Sequence, residues 1–153
     1  MQRKEKEITD RDRIDKIIQG CHVCHLGLSM NNRPYVIPIN FGYDGGRLYF
    51  HTSLKGKKID CLEANTHVCF QMERDTHLVA QDPEPCKWSF AFESVIGFGK
   101  VRELISTEEK KAGLMHIIQH YATHANPPSD KRLAGVRVWC IKIEELTGKR
   151  SGL

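Results

Sequence analysis

The sequence predicts a mainly β domain, a small antiparallel barrel with peripheral α-helices, and three observations carry that expectation. About six short segments alternate apolar and polar residues with the period of two that half-buried strands require. A helical pattern is inserted before the last of them, in place of a strict strand–helix–strand alternation, and this disfavours a doubly wound parallel sheet. The 153 residues, 40% hydrophobic and 27% charged, suit one domain over residues 1–153 that buries a core without covalent staples.

The first periodic segment carries Ile14, Ile17 and Ile18 on one helical face and stops at Gly20, expected just past the helix in the left-handed conformation. Leu26, Leu28 and Met30 then alternate, and Asn31-Asn32 marks a turn. Residues 35–43 read as a strand, and Asp44-Gly45-Gly46 marks a second turn before Leu48-Tyr49-Phe50. These make a three-stranded meander. Residues 55–65 suit a short helix with Ile59 and Leu62 beside one face, while residues 68–72 and 89–104 resume β character. Ser106-Thr107-Glu108-Glu109 has the form of a capping box, and Leu114, Ile117, Ile118 and Tyr121 carry the 3.6-residue period that should follow it. Asn126-Pro127-Pro128 breaks the chain, and residues 136–143 alternate as a last strand.

Several function classes lose their signatures. No apolar stretch approaches the roughly 18 residues of a membrane span. The charged start has no apolar segment behind it, so no secretory signal is read there and the expected location is the cytoplasm. A net charge of +4, with basic residues interleaved among acidic ones, does not call for a nucleic acid but leaves an anionic small molecule open. There is no G-x-G-x-x-G, P-loop or G-x-S-x-G, so any enzymatic chemistry is expected to come from a cofactor.

Cys21, Cys24, Cys61, Cys69, Cys86 and Cys140 read as reduced thiols. Cys21-His22-Val23-Cys24-His25 matches the pattern that attaches a c-type haem, but it lies in a strand-like stretch, and buried thiols are expected over haem, zinc or redox use. His116, His120 and His124 recur every four residues without the Glu of H-E-x-x-H. An exposed or dimer-facing stripe is expected, with no metal site. Trp88, Phe90, Phe92 and Phe98 are expected in the core rather than lining a substrate cleft.

His51-Thr52-Ser53-Leu54-Lys55-Gly56-Lys57-Lys58 falls where the third strand hands over to a helix. A helix N-terminus offers free N–H groups and a positive dipole end, and hydroxyls and lysines complete the shell of an anion such as phosphate. A solvated lysine-rich loop is the competing reading.

Taken together, several segments resemble the flavin-binding split-barrel superfamily. They are residues 33–43 (Arg-Pro-Tyr-Val-Ile-Pro-Ile-Asn-Phe-Gly-Tyr), 48–52 (Leu-Tyr-Phe-His-Thr), 56–60 (Gly-Lys-Lys-Ile-Asp), 94–99 (Ser-Val-Ile-Gly-Phe-Gly) and 146–150 (Leu-Thr-Gly-Lys-Arg). Within it the chain is most similar to the 5-nitroimidazole resistance (Nim) group, relatives of pyridoxamine 5'-phosphate oxidase. The resemblance implies a split antiparallel β-barrel that forms a homodimer with FMN at the subunit interface. It places the phosphate on Thr52, Lys57 and Lys58, with His51 beside the ribityl chain or ring as the catalytic candidate. Val36, Ile37, Pro38, Ile39 and Asn40 would line the isoalloxazine through their backbone, and Ser94 and Val95 fall where the oxidase branch has Gln-Val near the flavin. Pro38 suits that place, because a residue without an N–H belongs at an edge or bulge. Lys149 and Arg150 either reach the partner's site or form a solvated basic tail.

The chain lacks the Arg-x-Leu-x-Pro type segment of the oxidases, so vitamin B6 oxidation loses ground. The implied activity is an FMN-dependent oxidoreductase reducing a small acceptor such as the nitro group of a 5-nitroimidazole. Alternatives are a non-catalytic flavin- or haem-binding split barrel, a pyridoxamine 5'-phosphate oxidase-like enzyme and a histidine and cysteine metal-binding protein on the same barrel.

Overall fold

Long-range pairing, more than local pattern, sets the strand lengths. The computed structural model describes residues 4–124 and 126–152. After a 3-10 turn at Lys4–Lys6 come β1 (Glu7–Ile8), α1 (Arg11–Gly20), β2 (Cys24–Met30), β3 (Arg33–Ile39), β4 (Gly42–Tyr43) and β5 (Arg47–Thr52). Then follow α2 (Lys57–Ala64), β6 (His67–Val79), a 3-10 turn at Pro85–Lys87, β7 (Ser89–Leu104), α3 (Thr107–Tyr121), α4 (Asp130–Leu133) and β8 (Arg137–Ser151). The strands form one antiparallel sheet in the order β3-β2-β6-β7-β8-β5-β4, with β1 added to β8. β3 and β4, at its two ends, do not pair with each other, which leaves the barrel split.

The meander is as expected at its turns. Asn31 and Asn32 both have positive φ (52° and 58°), the conformation of a two-residue type I′ hairpin. Asp44 accepts the N–H groups of Gly46 and Arg47 through one carboxylate oxygen and closes the next turn. The capping box of α3 is formed, with Ser106 Oγ accepting the Glu109 N–H at 3.1 Å.

Four expectations are corrected. The stretch 35–43 divides into β3 and β4, because the chain leaves the sheet edge at Asn40. β6 runs on to Val79 and β8 to Ser151, each carried past its locally strand-like part by pairing with β7. Gly20 ends α1 without a positive φ. A Cβ there would lie 2.7 Å from Arg74 Nη1, the far end of a flexible side chain that crosses to donate to the Lys16 carbonyl and could shift to admit it.

Inside the sheet Ile17, Ile18, Leu26, Phe41, Leu48, Phe50, Phe70, Met72, Val95 and Ile141 are fully buried. α1 is fastened over β6 and β7 by Glu93, whose carboxylate accepts paired bonds from Arg13 and from Arg74. Burial alone would raise the Glu93 pKa, but the two guanidiniums outweigh it and hold it below the ordinary carboxylate value.

Candidate functional site

β5 delivers His51 and Thr52 to the mouth of the loop that enters α2. Gly56 stands before the helix at φ 129°, a conformation that favours glycine, and no side chain caps the helix start. The helical ladder begins with Ile59 and Asp60 N–H donating to the Gly56 carbonyl, so Lys57 and Lys58 N–H precede it among the donors a helix start leaves free. Lys57 Nζ lies 4.5 Å from the centre of the Tyr35 ring, and this contact brings the loop against β3. Lys58 is half-buried, and burial lowers its pKa. His51 is exposed, yet the protein around it and then the Lys58 charge lower its pKa below the ordinary imidazole value.

Thr52 is 4% exposed, and its hydroxyl is already engaged. Its Oγ1 donates to the Ser53 carbonyl at 2.8 Å and accepts the Trp139 indole N–H at 3.1 Å. Thr52 in this arrangement shapes the loop instead of offering a free donor.

β3 is an edge strand, as Pro38 required. Pro38 stands opposite His25, and Pro34 opposite Ser29. Val36 is exposed at 65%, Ile37 half-buried, Ile39 buried and Asn40 exposed, so residues 36–40 present an open edge. Ser94 lies on the outer face of β7, whereas Val95 points into the core and has only backbone to offer a ligand.

The outer face corrects the expectation for the aromatics. Phe90 and Phe98 are 53% and 48% exposed, Phe92 is half-buried and Trp88 is exposed, so none of the four is core. Along β7 the even-numbered Phe90, Phe92, Ser94, Ile96 and Phe98 share one side, and Glu93, Val95 and Val101 share the other. Register carries this outer side across the sheet: Ile96 faces Gln71, Gln71 faces His25, and His25 faces Pro38. A 390 Å³ open cleft lined by His25, Gly27, Val36, Cys69 and Gln71 lies there, and a second of 340 Å³ runs past Ser94, Phe92 and Lys149. Lys149 Nζ is 5.6 Å from the Phe92 ring centre.

His116 and His120 turn inward and are half-buried, whereas His124 is exposed as expected. His116 stacks on Tyr49 with ring centres 4.5 Å apart, and His120 Nε2 donates to the Cys21 carbonyl at 2.7 Å. No group of three His, Cys, Asp or Glu residues poised for a metal occurs among the described residues. The cysteines are free thiols: Cys21, Cys24, Cys61 and Cys140 are buried, Cys69 is half-buried, and Cys86 is exposed outside the strands. Burial pushes the Cys21 thiol up to about 11 and raises Cys24 further, which suits inert thiols.

Comparison with known proteins now decides the family. The profile described as pyridoxamine 5'-phosphate oxidase matches residues 10–150. The chain belongs to that family. Among solved structures, a candidate 5-nitroimidazole antibiotic resistance protein from Bacteroides thetaiotaomicron is similar at 34% identity, with a TM-score of 0.84 over 94% of this chain and 86% of that one. A FAD- and haem-binding protein from Mycobacterium smegmatis shares the fold at 21% identity, with a TM-score of 0.84 over 97% of this chain and 74% of that one. An uncharacterized protein of Rhizobium meliloti is 22% identical over 152 residues, 93% of each chain. The split-barrel fold and the relationship to the family are as the sequence resemblance implied.

Sequence reading missed three residues of the site. Tyr35 stood within a quoted segment but without a role, and Arg137 and Trp139 come from β8, 85 or more positions beyond Thr52. No local motif marks them.

Proposed function

We propose that the protein is a homodimeric, FMN-dependent oxidoreductase that reduces a small acceptor such as the nitro group of a 5-nitroimidazole. One observation carries the reading: the uncapped, lysine-bearing start of α2 opens beside the free edge of β3, joined to it by the Lys57–Tyr35 contact. That donor set fits FMN. Lys57, Lys58 and the N–H groups preceding the helical ladder would hold the phosphate, and the strand at Val36, Ile37, Pro38, Ile39 and Asn40 leaves backbone unclaimed by a neighbour for a flat ring. His51 would stand at the ribityl end or ring, and Ser94, with the backbone of Val95, on the far side. The flavin supplies two-electron redox chemistry between a donor and an acceptor. His51 is the candidate to deliver the protons that nitro reduction consumes; burial and then the Lys58 charge lower its pKa, so in that role the imidazole would have to take up a proton from solvent before each transfer.

The outer face supports the dimer. Val36, Leu78, Phe90, Ile96 and Phe98 are each between 42% and 65% exposed. With about 150–250 Å² on an aromatic side chain, they present on the order of 400 Å² of apolar surface. That is the scale of the largest apolar patch on an ordinary monomer, which is often functional, and about half of one partner's share of a standard interface.

Titrating FMN and riboflavin into the flavin-free protein while following its melting temperature and mass tests the proposal. The expected result is a dimer whose melting temperature rises with FMN, an absorbance band near roughly 450 nm, and reoxidation of the reduced flavin by a 5-nitroimidazole. A strictly monomeric protein with no thermal shift, or purified protein carrying only a haem band near roughly 400 nm, would overturn it.

A further inference from the structure

We propose that Trp139 is the positioning residue of the anion-binding loop, a role that rests on the phosphate reading above. Loop 53–56 joins β5 to α2, and for both ends to meet one anion the strand end and the helix start must be held in fixed relation. A single cluster touches both. On β5, Thr52 accepts the Trp139 indole N–H and donates its own hydroxyl to the Ser53 carbonyl, which fixes the first turn of the loop. On α2, Glu63 accepts from Arg137 Nη1 at 2.7 Å.

The two halves meet at the Trp139 ring, where the Arg137 guanidinium carbon lies 4.8 Å from the ring centre. Glu103 grips the same guanidinium through Nε at 2.9 Å and through Nη2. Phe50 packs on the indole, nearly parallel, with ring centres 6.4 Å apart. Trp139 is 4% exposed, so its bond to Thr52 operates away from water, where hydrogen-bond geometry is most restrictive, while the Arg137–Glu63 bond lies at the surface.

The arrangement follows from register. Thr52 faces Arg137 and Phe50 faces Trp139 across β5 and β8, which puts all four side chains on one side of the sheet. The Trp139–Thr52 bond is therefore a diagonal one, and it needs the length and the single donor of an indole. Phenylalanine can replace the ring but not the N–H.

The test uses the full chain with Trp139→Phe, Thr52→Val and the double variant. Trp139→Phe should lower FMN affinity about fivefold, the scale of one neutral hydrogen bond, and leave riboflavin affinity unchanged. The double variant should bind FMN no more weakly than Thr52→Val alone, because both substitutions remove the same bond. In the flavin-free protein, amide exchange at Ile59 and Asp60, which bond the Gly56 carbonyl, should rise several-fold in Trp139→Phe while β6 amides stay unchanged. Equal losses for the two flavins, additive losses in the double variant, or unchanged exchange at Ile59 and Asp60 would each overturn the role. A wild-type protein that does not prefer FMN to riboflavin would instead remove the phosphate reading, and the exchange comparison would still decide the brace.

Discussion

Glu93→Gln replaces a carboxylate that stands between two guanidiniums. The Glu93 side chain is 6% exposed and accepts from Arg13 at 3.0 and 2.6 Å and from Arg74 at 3.0 and 2.7 Å. Removing one partner from a buried ion pair costs about 3–5 kcal/mol. Two features of the site lower that figure. Arg13 and Arg74 are 40% and 30% exposed and can turn to water, and the glutamine oxygen can still accept both bonds of one of these arginines. The expected loss is about 2–3 kcal/mol, which in a domain of this size lowers the melting temperature by roughly 4–12 °C.

Urea unfolding at neutral pH measures the loss directly. Acid adds an independent check, because the folded-state pKa of Glu93 is lowered. Its stabilisation is complete above the unfolded value of about 4.3 and is lost as pH falls through the lower folded value. The wild type should therefore lose more stability than Glu93→Gln below about pH 4. A loss under about 0.5 kcal/mol at neutral pH, or the same acid loss in both proteins, would sink the claim that this carboxylate fastens α1 to the sheet.

Lys57→Ala and Lys58→Ala should each weaken FMN about tenfold while changing riboflavin little, since only FMN carries the phosphate; calorimetric titration of both ligands checks this. His51→Gln should keep FMN affinity but slow reoxidation of the reduced flavin by a nitroimidazole about 10²-fold, and unchanged turnover would remove His51 from the chemistry. NMR titration of His51 should show its pKa rise when FMN binds, because a phosphate beside Lys58 offsets the charge that now helps lower it. Phe98→Glu should convert the proposed dimer to a monomer in light scattering, and a dimer that persists would place the interface elsewhere.

Local signals and long-range pairing divide what the chain discloses about itself. β7 keeps the bounds its alternation predicts, and α3 starts at its capping box, because both signals lie within a few neighbouring residues. The distal half of β8 is invisible to such reading. Glu145 and Gly148-Lys149-Arg150 have no strand pattern, and they are extended because Phe98 through Glu93 lie opposite the stretch 145–150, while Glu144 is the extra residue where the register shifts.

The site divides in the same way. His51, Thr52, Lys57 and Lys58 are within seven residues of one another and are legible as an anion loop, whereas Trp139 reaches Thr52 through β5–β8 register alone. The outer aromatics mislead for a different reason. Alternation marks one side of β7 as charged or apolar without saying whether chain, ligand or partner covers it, and the described residues leave Phe90 and Phe98 about half exposed.

β8 also fixes when the molecule can fold. It pairs with β7, β5 and β1, and its Lys149 sits opposite Glu7, near the other end of the described chain. Synthesis runs from the N-terminus at about 5–20 residues per second, so every partner of β8 emerges before β8 does. Until then β5 and β7 expose adjacent edges to the crowded surroundings of the ribosome, a template for pairing with other chains. The β2–β3 hairpin, closed by Asn31 and Asn32, can form early because its contacts are local. Completion of the barrel is thus tied to the last of its own strands to be translated, and a message truncated before residue 137 would yield a chain with two open edges at its centre rather than a smaller version of the same fold.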